Sequence, residues 1–208
     1  MLTSSNYDDT KERTVGGQNG VGAKSTNIFS ESFTVETCDG TKKYIQTWTD
    51  NMLSVGKAKI LSGKRSPYTS ITFKPEYSRF GMKKLDDVSK SIVLKRAADA
   101  CAVTPPNVSV WINGSKLPYK SFEKYVDLYI GSKSDVPRYY EKVNDDWEAC
   151  VCASTDGSFK QVSFVNGICT TKGGKHVEHA SAAIAKKVAE ALSNKRGGSS
   201  VKPQHVKN

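Results

Sequence analysis

The chain of 208 residues lacks any apolar run approaching the roughly 20 residues that a membrane-spanning helix needs. Met1 is not followed by the basic and apolar segments of a secretory signal peptide. Hydrophobic residues nevertheless make up 37% of the sequence, which is enough to build a folded core. These features predict a globular protein that acts inside a cell, with no membrane partner.

Histidine and closely paired cysteine are also scarce. His176 and His179 lie three residues apart near a predicted helix start, but no third ligand accompanies them at a spacing typical of zinc sites. The five cysteines form no CxxC pair. We therefore expect surface histidines, reduced structural thiols and no metal site. No Ser/His/Asp or Cys/His catalytic arrangement is indicated.

Acidic residues are outnumbered by basic ones. The chain has 31 Lys and Arg against 21 Asp and Glu, a net charge of +10, and residues 172–208 alone carry +6. Such a stretch favours a polyanionic partner, because clustered positive charge attracts phosphates. A solvated helix face followed by a frayed tail would give the same pattern, so charge alone leaves both interpretations open.

Glycine is concentrated in one loop, TVGGQNGVGAK, at residues 14–24, ahead of a helix-compatible stretch at 25–29. Glycine tolerates positive φ and close approach of a ligand, so Gly17, Gly20 and Gly22 would let backbone N–H groups converge on a phosphate. The following helix dipole and Lys24 would add positive charge. The pattern fits neither a P-loop nor a Rossmann turn, so a flexible surface loop is the alternative.

Alternating apolar residues predict a β-hairpin in the first part of the chain. Residues 33–35 alternate with polar neighbours, Asp39-Gly40 is typical of a two-residue turn, and residues 44–48 supply the second strand. A further strand at 69–73 closes this unit near residue 80.

The second part of the chain mixes helices with hairpins. Helical periodicity predicts three helices, at residues 85–101, 122–130 and 177–192. Asn113-Gly114 predicts a tight turn, and residues 147–153 and 159–165 are expected to pair around Asp156-Gly157. This mixture predicts the α+β class.

Four strings, together with the glycine-rich loop, carry a family resemblance. They are LTSSNYDD at 2–9, QTWTDNM at 46–52, QVSFVNGI at 161–168 and TTKGGKHV at 170–177. In this order they resemble the ATPase region of type IIA DNA topoisomerases, particularly the eukaryotic and viral topoisomerase II branch. The resemblance covers essentially the whole chain.

The resemblance implies a fold and a domain division. Residues 1–80 would form the C-terminal part of a GHKL (Bergerat-type) ATP-binding sandwich, with the glycine-rich loop as its nucleotide lid. Residues 81–208 would form a transducer domain, truncated at its C-terminal end, with a left-handed βαβ crossover. The usual handedness rule alone would predict the opposite hand.

The resemblance also implies binding residues, position by position. The implied ATP-binding residues are Ser4, Ser5, Asn6, Gly17, Gln18, Asn19, Gly20, Val21, Gly22, Ala23, Lys24 and Thr69. Lys195 and Arg196 fall where the family carries a basic loop facing DNA. Gln18 stands where arginine is usual and Val21 where an aromatic residue is usual, so weaker lid closure is expected.

Several parts of the family's machinery have no counterpart in this sequence. The acidic general base and the Mg²⁺-holding asparagine are expected upstream, and the lysine that reaches the γ-phosphate downstream. The implied cofactors are ATP and Mg²⁺, and the implied partners are double-stranded DNA and a second copy of the protein. We therefore expect an internal part of an ATP-hydrolysing enzyme of the nucleus or of a virus-infected cell, with no catalytic residue of its own and inactive alone.

Two other functions fit part of the sequence. Another GHKL ATPase, such as a chaperone or a mismatch-repair protein, would share the glycine lid but not the strings at residues 163–166 and 172–174. A basic DNA-binding module without a nucleotide role would explain the charge but not the loop.

Overall fold

A computed structural model of the chain describes residues 4–195 and 200–207. The chain forms two compact units. The first contains Gly17–Lys90 and the residues before Thr14, and the second contains Ser91 onward together with Thr14–Gly16. The domain division at residue 80 stays a prediction, since contact-defined units need not coincide with family domains. Among the described residues, no helix is both long enough and apolar enough to cross a membrane.

The first unit is an antiparallel sheet preceded by one helix. Its elements are α1 (Val21–Ile28), β1 (Ser30–Cys38), β2 (Lys42–Thr49), β3 (Ser54–Val55), β4 (Lys59–Ser62) and β5 (Tyr68–Pro75), followed by a 3₁₀ turn (Tyr77–Phe80). The strand order is β3-β2-β1-β5, and β4 also pairs with β2. The predicted strand at 69–73 is confirmed within β5, which pairs with β1.

The predicted hairpin is formed by β1 and β2. The Asp39 side chain accepts hydrogen bonds from the backbone N–H groups of Lys42 and Thr41, at 2.7 and 2.8 Å, and Gly40 has a φ of 106°. These backbone hydrogen bonds stabilise the carboxylate and lower the pKa of Asp39 to about 2. The turn therefore follows from local chemistry that the sequence contains.

The strand register places an aromatic cluster on one face of the sheet. Phe33, only 1% exposed, lies opposite Trp48 on β2 and Phe73 on β5, with ring centroids 6.3 and 6.4 Å away. The opposite face carries the ion pair between Lys43 and Glu36, at 2.8 Å. The core of this unit is therefore centred on Phe33.

The second unit contains helices and three short antiparallel hairpins. Its elements are α2 (Asp87–Val103, whose first four residues belong to the first unit), β6 (Trp111–Ile112), β7 (Ser115–Lys116), α3 (Phe122–Ile130), β8 (Arg138–Lys142), β9 (Glu148–Cys152), β10 (Phe164–Val165), β11 (Ile168–Cys169), α4 (Lys175–Lys195) and α5 (Pro203–Lys207). The three predicted helices and the α+β class are confirmed. Every strand pairing among the described residues is antiparallel, so the βαβ crossover stays a prediction.

The predicted pairing of residues 147–153 with 159–165 is wrong. Residues 148–152 form β9, which pairs instead with the preceding β8. The reason is a turn that the sequence reasoning missed, in which the Asn144 side chain accepts from the backbone N–H groups of Asp146 and Trp147, each at 2.9 Å. Such an Asx turn closes a hairpin over a short loop.

The following segment turns at a different dipeptide from the one predicted. Asn166 and Gly167 have φ values of 50° and 77°, which is the geometry of a type I′ turn, and they join β10 to β11. At the predicted turn, the Asp156 carboxylate binds the hydroxyls of Ser154 and Ser158, at 2.7 and 2.8 Å, without strand pairing on either side.

Buried polar contacts fix α2 against α3. The Tyr125 hydroxyl, on a side chain only 1% exposed, donates to the Asp99 carboxylate at 2.6 Å. Lys95 and Arg96 approach the same carboxylate at 2.7 and 3.3 Å. Burial opposes ionisation of Asp99, yet the hydrogen bonds from Lys95 and Tyr125 hold its pKa below the usual value. A buried charge is tolerated here because its lone pairs are satisfied.

Candidate nucleotide-binding site

The residues before the glycine-rich loop hold its backbone. The Asn6 side-chain amide donates to the Gly17 carbonyl at 2.8 Å, and the Tyr7 hydroxyl donates to the Asn19 carbonyl at 3.2 Å. The partners are eleven and twelve residues apart, so the loop closes back on the chain that precedes it. Three of the predicted site residues thereby come together.

Asn6 is itself positioned by its neighbours. The Ser4 hydroxyl accepts from the backbone N–H of Asn6 at 3.1 Å, and the Ser5 hydroxyl lies 3.5 Å from the Asn6 side-chain oxygen. Ser5 is exposed, whereas Ser4 and Asn6 are half-buried. The three predicted residues therefore form one polar cluster next to Gly17.

Gln18 makes a third tie between the loop and the chain before it. Its side-chain amide donates to the Asp9 carboxylate at 2.7 Å. An arginine at this position would make a stronger, charge-assisted contact with the same carboxylate. Glutamine keeps the hydrogen bond without the ion pair, which agrees with an expectation of weaker loop closure.

Helix α1 begins inside the glycine-rich loop, at Val21, four residues before the predicted start. Gly20 is the N-cap residue and has a left-handed φ of 63°. An α-helix leaves the N–H groups of its first turn without intrahelical partners, and Gly20 has no side chain to satisfy them. These N–H groups and the helix dipole favour binding of an anion.

The loop glycines have two different structural roles. Gly20 adopts positive φ, as predicted. Gly17 and Gly22 do not, and a Cβ atom at either position would meet no protein atom within 4 Å. Nothing in the protein itself therefore requires glycine at these two positions. Open space beside the backbone is what close approach of a phosphate would use.

Lys24 places a positive charge in the same turn. It is the fourth residue of α1, it is half-buried, and no carboxylate in the described part of the chain pairs with it. The arrangement of uncapped N–H groups, open glycines and an unpaired ammonium group can bind phosphate oxygens.

Thr69 is not brought to this loop by any described contact. Its hydroxyl lies 3.1 Å from that of Thr37, its partner across the β1–β5 ladder. Thr37 lies near the end of β1, whereas α1 ends just before the start of β1 at Ser30. A role for Thr69 in an adenine pocket therefore stays a prediction.

The predicted DNA-contact residues lie at the end of α4. Lys195 is its last residue and is exposed. Arg196 lies outside the described residues. The contact with DNA stays a prediction.

A hydrogen-bonded cluster in the second unit was not predicted. His176 Nε2 lies 3.0 Å from Thr170 Oγ1 and 3.2 Å from Ser163 Oγ, and these two hydroxyl oxygens are 2.5 Å apart. His176 is therefore half-buried and joins the β10–β11 hairpin to the start of α4, so the prediction of a surface histidine is wrong for it. No periodic spacing connects the three residues, and only a tertiary contact brings them together.

The hydrogen bonds of this cluster indicate that the Nε2 atom of His176 carries a hydrogen. The Gln161 side-chain N–H group donates to the carbonyls of Thr170 and Thr171, at 3.3 and 3.2 Å, which turns its oxygen toward Ser163. Ser163 donates to that oxygen at 2.7 Å, so Thr170 must donate to Ser163. His176 Nε2 then carries a hydrogen and donates to the two hydroxyls, an assignment inferred from the network. No set of three or more His, Cys, Asp or Glu within the described residues is arranged to hold a metal ion.

Comparisons with known proteins identify the family. The DNA gyrase B family model matches residues 121–208. A probable DNA topoisomerase 2 from Dictyostelium discoideum is 46% identical over the whole chain, and human DNA topoisomerase 2-alpha is 43% identical. The chain covers only 14% of the length of each of these relatives.

Solved structures agree with this match. The ATPase region of Saccharomyces cerevisiae topoisomerase II aligns with 98% of the chain, at a TM-score of 0.85 and 43% identity. The ATPase and transducer domains of Balamuthia mandrillaris DNA topoisomerase II align with all of it, at a TM-score of 0.88 and 38% identity. The chain covers 53% and 54% of those structures. By sequence along its whole length and by fold, the chain belongs to the type II DNA topoisomerase family and corresponds to part of its ATPase region.

Proposed function

We propose that this chain is part of the ATP-operated gate of a type II DNA topoisomerase, which changes DNA topology by passing one duplex through another. The observation that carries the proposal is the 46% identity to a topoisomerase 2 along the entire chain. A chaperone or mismatch-repair ATPase would share the lid alone, and a basic DNA-binding module would need neither the lid nor the cluster around His176.

The loop geometry supports a nucleotide site built from backbone N–H groups, a lysine and a polar cluster. The first-turn N–H groups of α1 and the Lys24 ammonium group would bind phosphate oxygens, and the Ser4–Asn6 cluster would contact the sugar and phosphates. ATP, when bound, supplies the phosphoryl group whose hydrolysis drives the gate. Mg²⁺ would arrive with the phosphates. By resemblance to the family, we propose that an asparagine outside the described residues holds it.

The path of the chain supports a connection from the lid to the second unit. Thr14–Gly16 packs as part of the second unit, and a Cβ atom on Gly16 would come within 2.1 Å of Ile168 Cδ1 on β11. The predicted nucleotide-binding residues of the lid begin at the next residue, Gly17. We propose that ordering of the lid by nucleotide is passed along this segment to the β10–β11 hairpin, and through the His176 cluster to α4.

The partners follow from the same proposal. Two copies would close as a gate around a DNA duplex, with Lys195 and Arg196 contacting its phosphates without reading sequence. The enzyme would act where its DNA is, in the nucleus of a eukaryotic cell or inside an infected host cell.

The test is equilibrium binding of a fluorescent, non-hydrolysable ATP analogue to the complete protein. Lys24→Ala should weaken binding by about 1.5 to 3 kcal/mol, or roughly 10- to 150-fold, because a charge-assisted phosphate contact is lost. Lys83→Ala, which removes an exposed lysine of the same unit, is the matched control and should leave affinity unchanged. Equal affinities for the two variants would refute the phosphate contact. Absence of binding by the unaltered protein would refute the nucleotide role.

A further inference from the structure

The net positive charge of the chain is concentrated in two stretches. Residues 51–75 contain five Lys or Arg and no Asp or Glu, and residues 172–208 carry +6. The other 146 residues together carry a net charge of −1. An ordinary solvated surface intersperses charges of both signs, so an acid-free stretch of 25 residues needs a separate explanation.

The middle of this stretch forms one edge of the first unit's sheet. Its backbone is tied to β2 and the β1–β2 turn at both ends, by hydrogen bonds from Gly56 N–H to the Thr47 carbonyl at 2.8 Å and from Arg65 N–H to the Gly40 carbonyl at 3.0 Å. Between them β4 pairs with β2. At about 3.3 Å per residue, the strand residues from Lys42 to Thr47 hold this segment extended over roughly 17 Å. No described strand pairs with the outer side of β4.

Five cations lie along this edge, and we call them the basic edge. They are Lys42, Lys57, Lys59, Lys64 and Arg65. All five are exposed, and no carboxylate in the described part of the chain lies within ion-pair distance of any of them. Two neighbouring lysines differ, since Lys43 pairs with Glu36 at 2.8 Å and Lys74 pairs with Glu31. The basic edge therefore presents positive charge that no ion pair neutralises, with the Glu36 carboxylate near Arg65 and the Asp39 carboxylate near Lys42.

Protection of an exposed sheet edge explains only part of this pattern. Lysine on an edge strand discourages pairing with other chains, and Lys59 within β4 meets that need beside the exposed Ile60 and Leu61. Protection does not account for Lys57 before the strand or for the cations after it. The spread of charge over the whole edge instead matches a long, evenly charged ligand.

We propose that the basic edge binds the phosphate backbone of double-stranded DNA, through residues other than the predicted contact residues Lys195 and Arg196. The choice of DNA as the polyanion rests on the proposed function. An edge of roughly 17 Å corresponds to about five base pairs at 3.4 Å each. Lysine and arginine that reach phosphates position the duplex and do not read its sequence.

The experiment compares two variants that lose the same charge. The edge variant is Lys57→Gln, Lys59→Gln, Lys64→Gln and Arg65→Gln. The control is Lys83→Gln, Lys84→Gln, Lys116→Gln and Lys120→Gln, four exposed lysines that are not part of the basic edge. Binding of each to a 20-base-pair duplex is measured by fluorescence anisotropy from about 50 to 200 mM salt. Each phosphate contact contributes about 0.9 to the slope of log affinity against log salt, so the edge variant should lose roughly 2 to 4 from the slope and the control less than 1.

Each outcome decides the proposal. An unchanged slope in the edge variant, or equal loss in both variants, would overturn it, because net charge alone would then explain binding. Loss of binding to phosphatidylserine vesicles with unchanged DNA binding would overturn it in favour of an anionic membrane. A third variant with Lys57→Arg, Lys59→Arg and Lys64→Arg should retain the slope, and circular dichroism checks folding. Binding of the fluorescent ATP analogue, measured on the same samples, tests the proposed function independently.

Discussion

Two asparagines of the first unit show that one side-chain type can have opposite energetic effects. The Asn51 amide donates to the Ile28 carbonyl at 2.9 Å and to the Glu76 carboxylate at 2.8 Å, with a φ of 57° that asparagine tolerates better than most residues. Asn27, only 1% exposed in α1, has no hydrogen-bond partner among the described residues for either side-chain polar atom. Asn51 therefore stabilises the ends of α1 and β5, while Asn27 leaves a desolvated amide.

These roles predict unequal effects of the same substitution. Asn51→Ala should lower the free energy of unfolding by about 2 to 4 kcal/mol, because it removes two hydrogen bonds and places alanine at positive φ. Asn27→Ala should cost less than about 1 kcal/mol, since relief of the unsatisfied amide and better helix propensity offset the small cavity. Urea denaturation measures both values. Similar losses would contradict the assignment of Asn27 as unpartnered.

At the scale of elements, the contact between α2 and α3 depends on a buried acid and a tyrosine pair. The Tyr125 hydroxyl donates to Asp99 and lies 2.8 Å from the Tyr129 hydroxyl. Burial and the contact with Asp99 raise the pKa of Tyr125, so it stays a neutral donor. The half-exposed Tyr129 makes no hydrogen bond to the carboxylate. We therefore expect Tyr125 to contribute more than Tyr129 to the stability of this contact.

Tyr125→Phe should destabilise the second unit by about 1 to 3 kcal/mol at neutral pH, and Tyr129→Phe by much less. The pKa of Asp99 is lowered by folding, so its stabilisation is complete above its unfolded value, near 3.8, and is lost as pH falls through the folded value. The gap in unfolding free energy between wild type and Tyr125→Phe should therefore narrow in acid. Denaturation curves from pH 7 to pH 3 check this, and a constant gap would argue against a role for the ionised carboxylate.

An element can be predicted from the sequence when the contacts that stabilise it lie close together in the chain. The β1–β2 turn was predictable, because Asp39 satisfies its own backbone. The start of α1 was placed too late, because Gly22 has low helix propensity and the left-handed cap at Gly20 leaves no polar side chain as a signal. The His176 cluster and the β8–β9 pairing depend on contacts between segments, which no single pattern encodes. For the candidate site, the sequence located the loop but not its ties to Asn6 and Tyr7.

For the whole molecule, we expect that this chain carries nucleotide-binding residues but cannot hydrolyse ATP alone. The described residues include a loop suited to phosphates, whereas the family resemblance implies that the general base, the Mg²⁺-holding asparagine and the γ-phosphate lysine are supplied by other parts of the protein. Positioning and charge stabilisation provide most of phosphoryl-transfer catalysis, so a partial site gives almost none. The purified 208-residue chain should therefore show no ATP hydrolysis above background in a coupled phosphate-release assay. Turnover that follows the protein through successive chromatographic steps would show that the active site lies within it.

The second basic stretch sets a separate expectation for DNA. If Lys195 and Arg196 each neutralise one phosphate of the duplex held by the closed gate, alanine at both positions should reduce the slope of log DNA affinity against log salt by about 2. DNA-stimulated ATP hydrolysis by the complete enzyme should fall, while basal hydrolysis stays near normal, because the stretch is far from the lid in sequence.

The pair Lys186→Ala and Lys187→Ala removes the same charge from the middle of α4 and serves as the control. An unaltered slope in the Lys195 and Arg196 variant, with folding intact, would make these residues solvated surface charge. In that case the basic edge of the first unit would be the remaining candidate for the DNA contact. Comparing the salt slope of the edge variant with that of the Lys195 and Arg196 variant would show which of the two groups of cations binds the duplex.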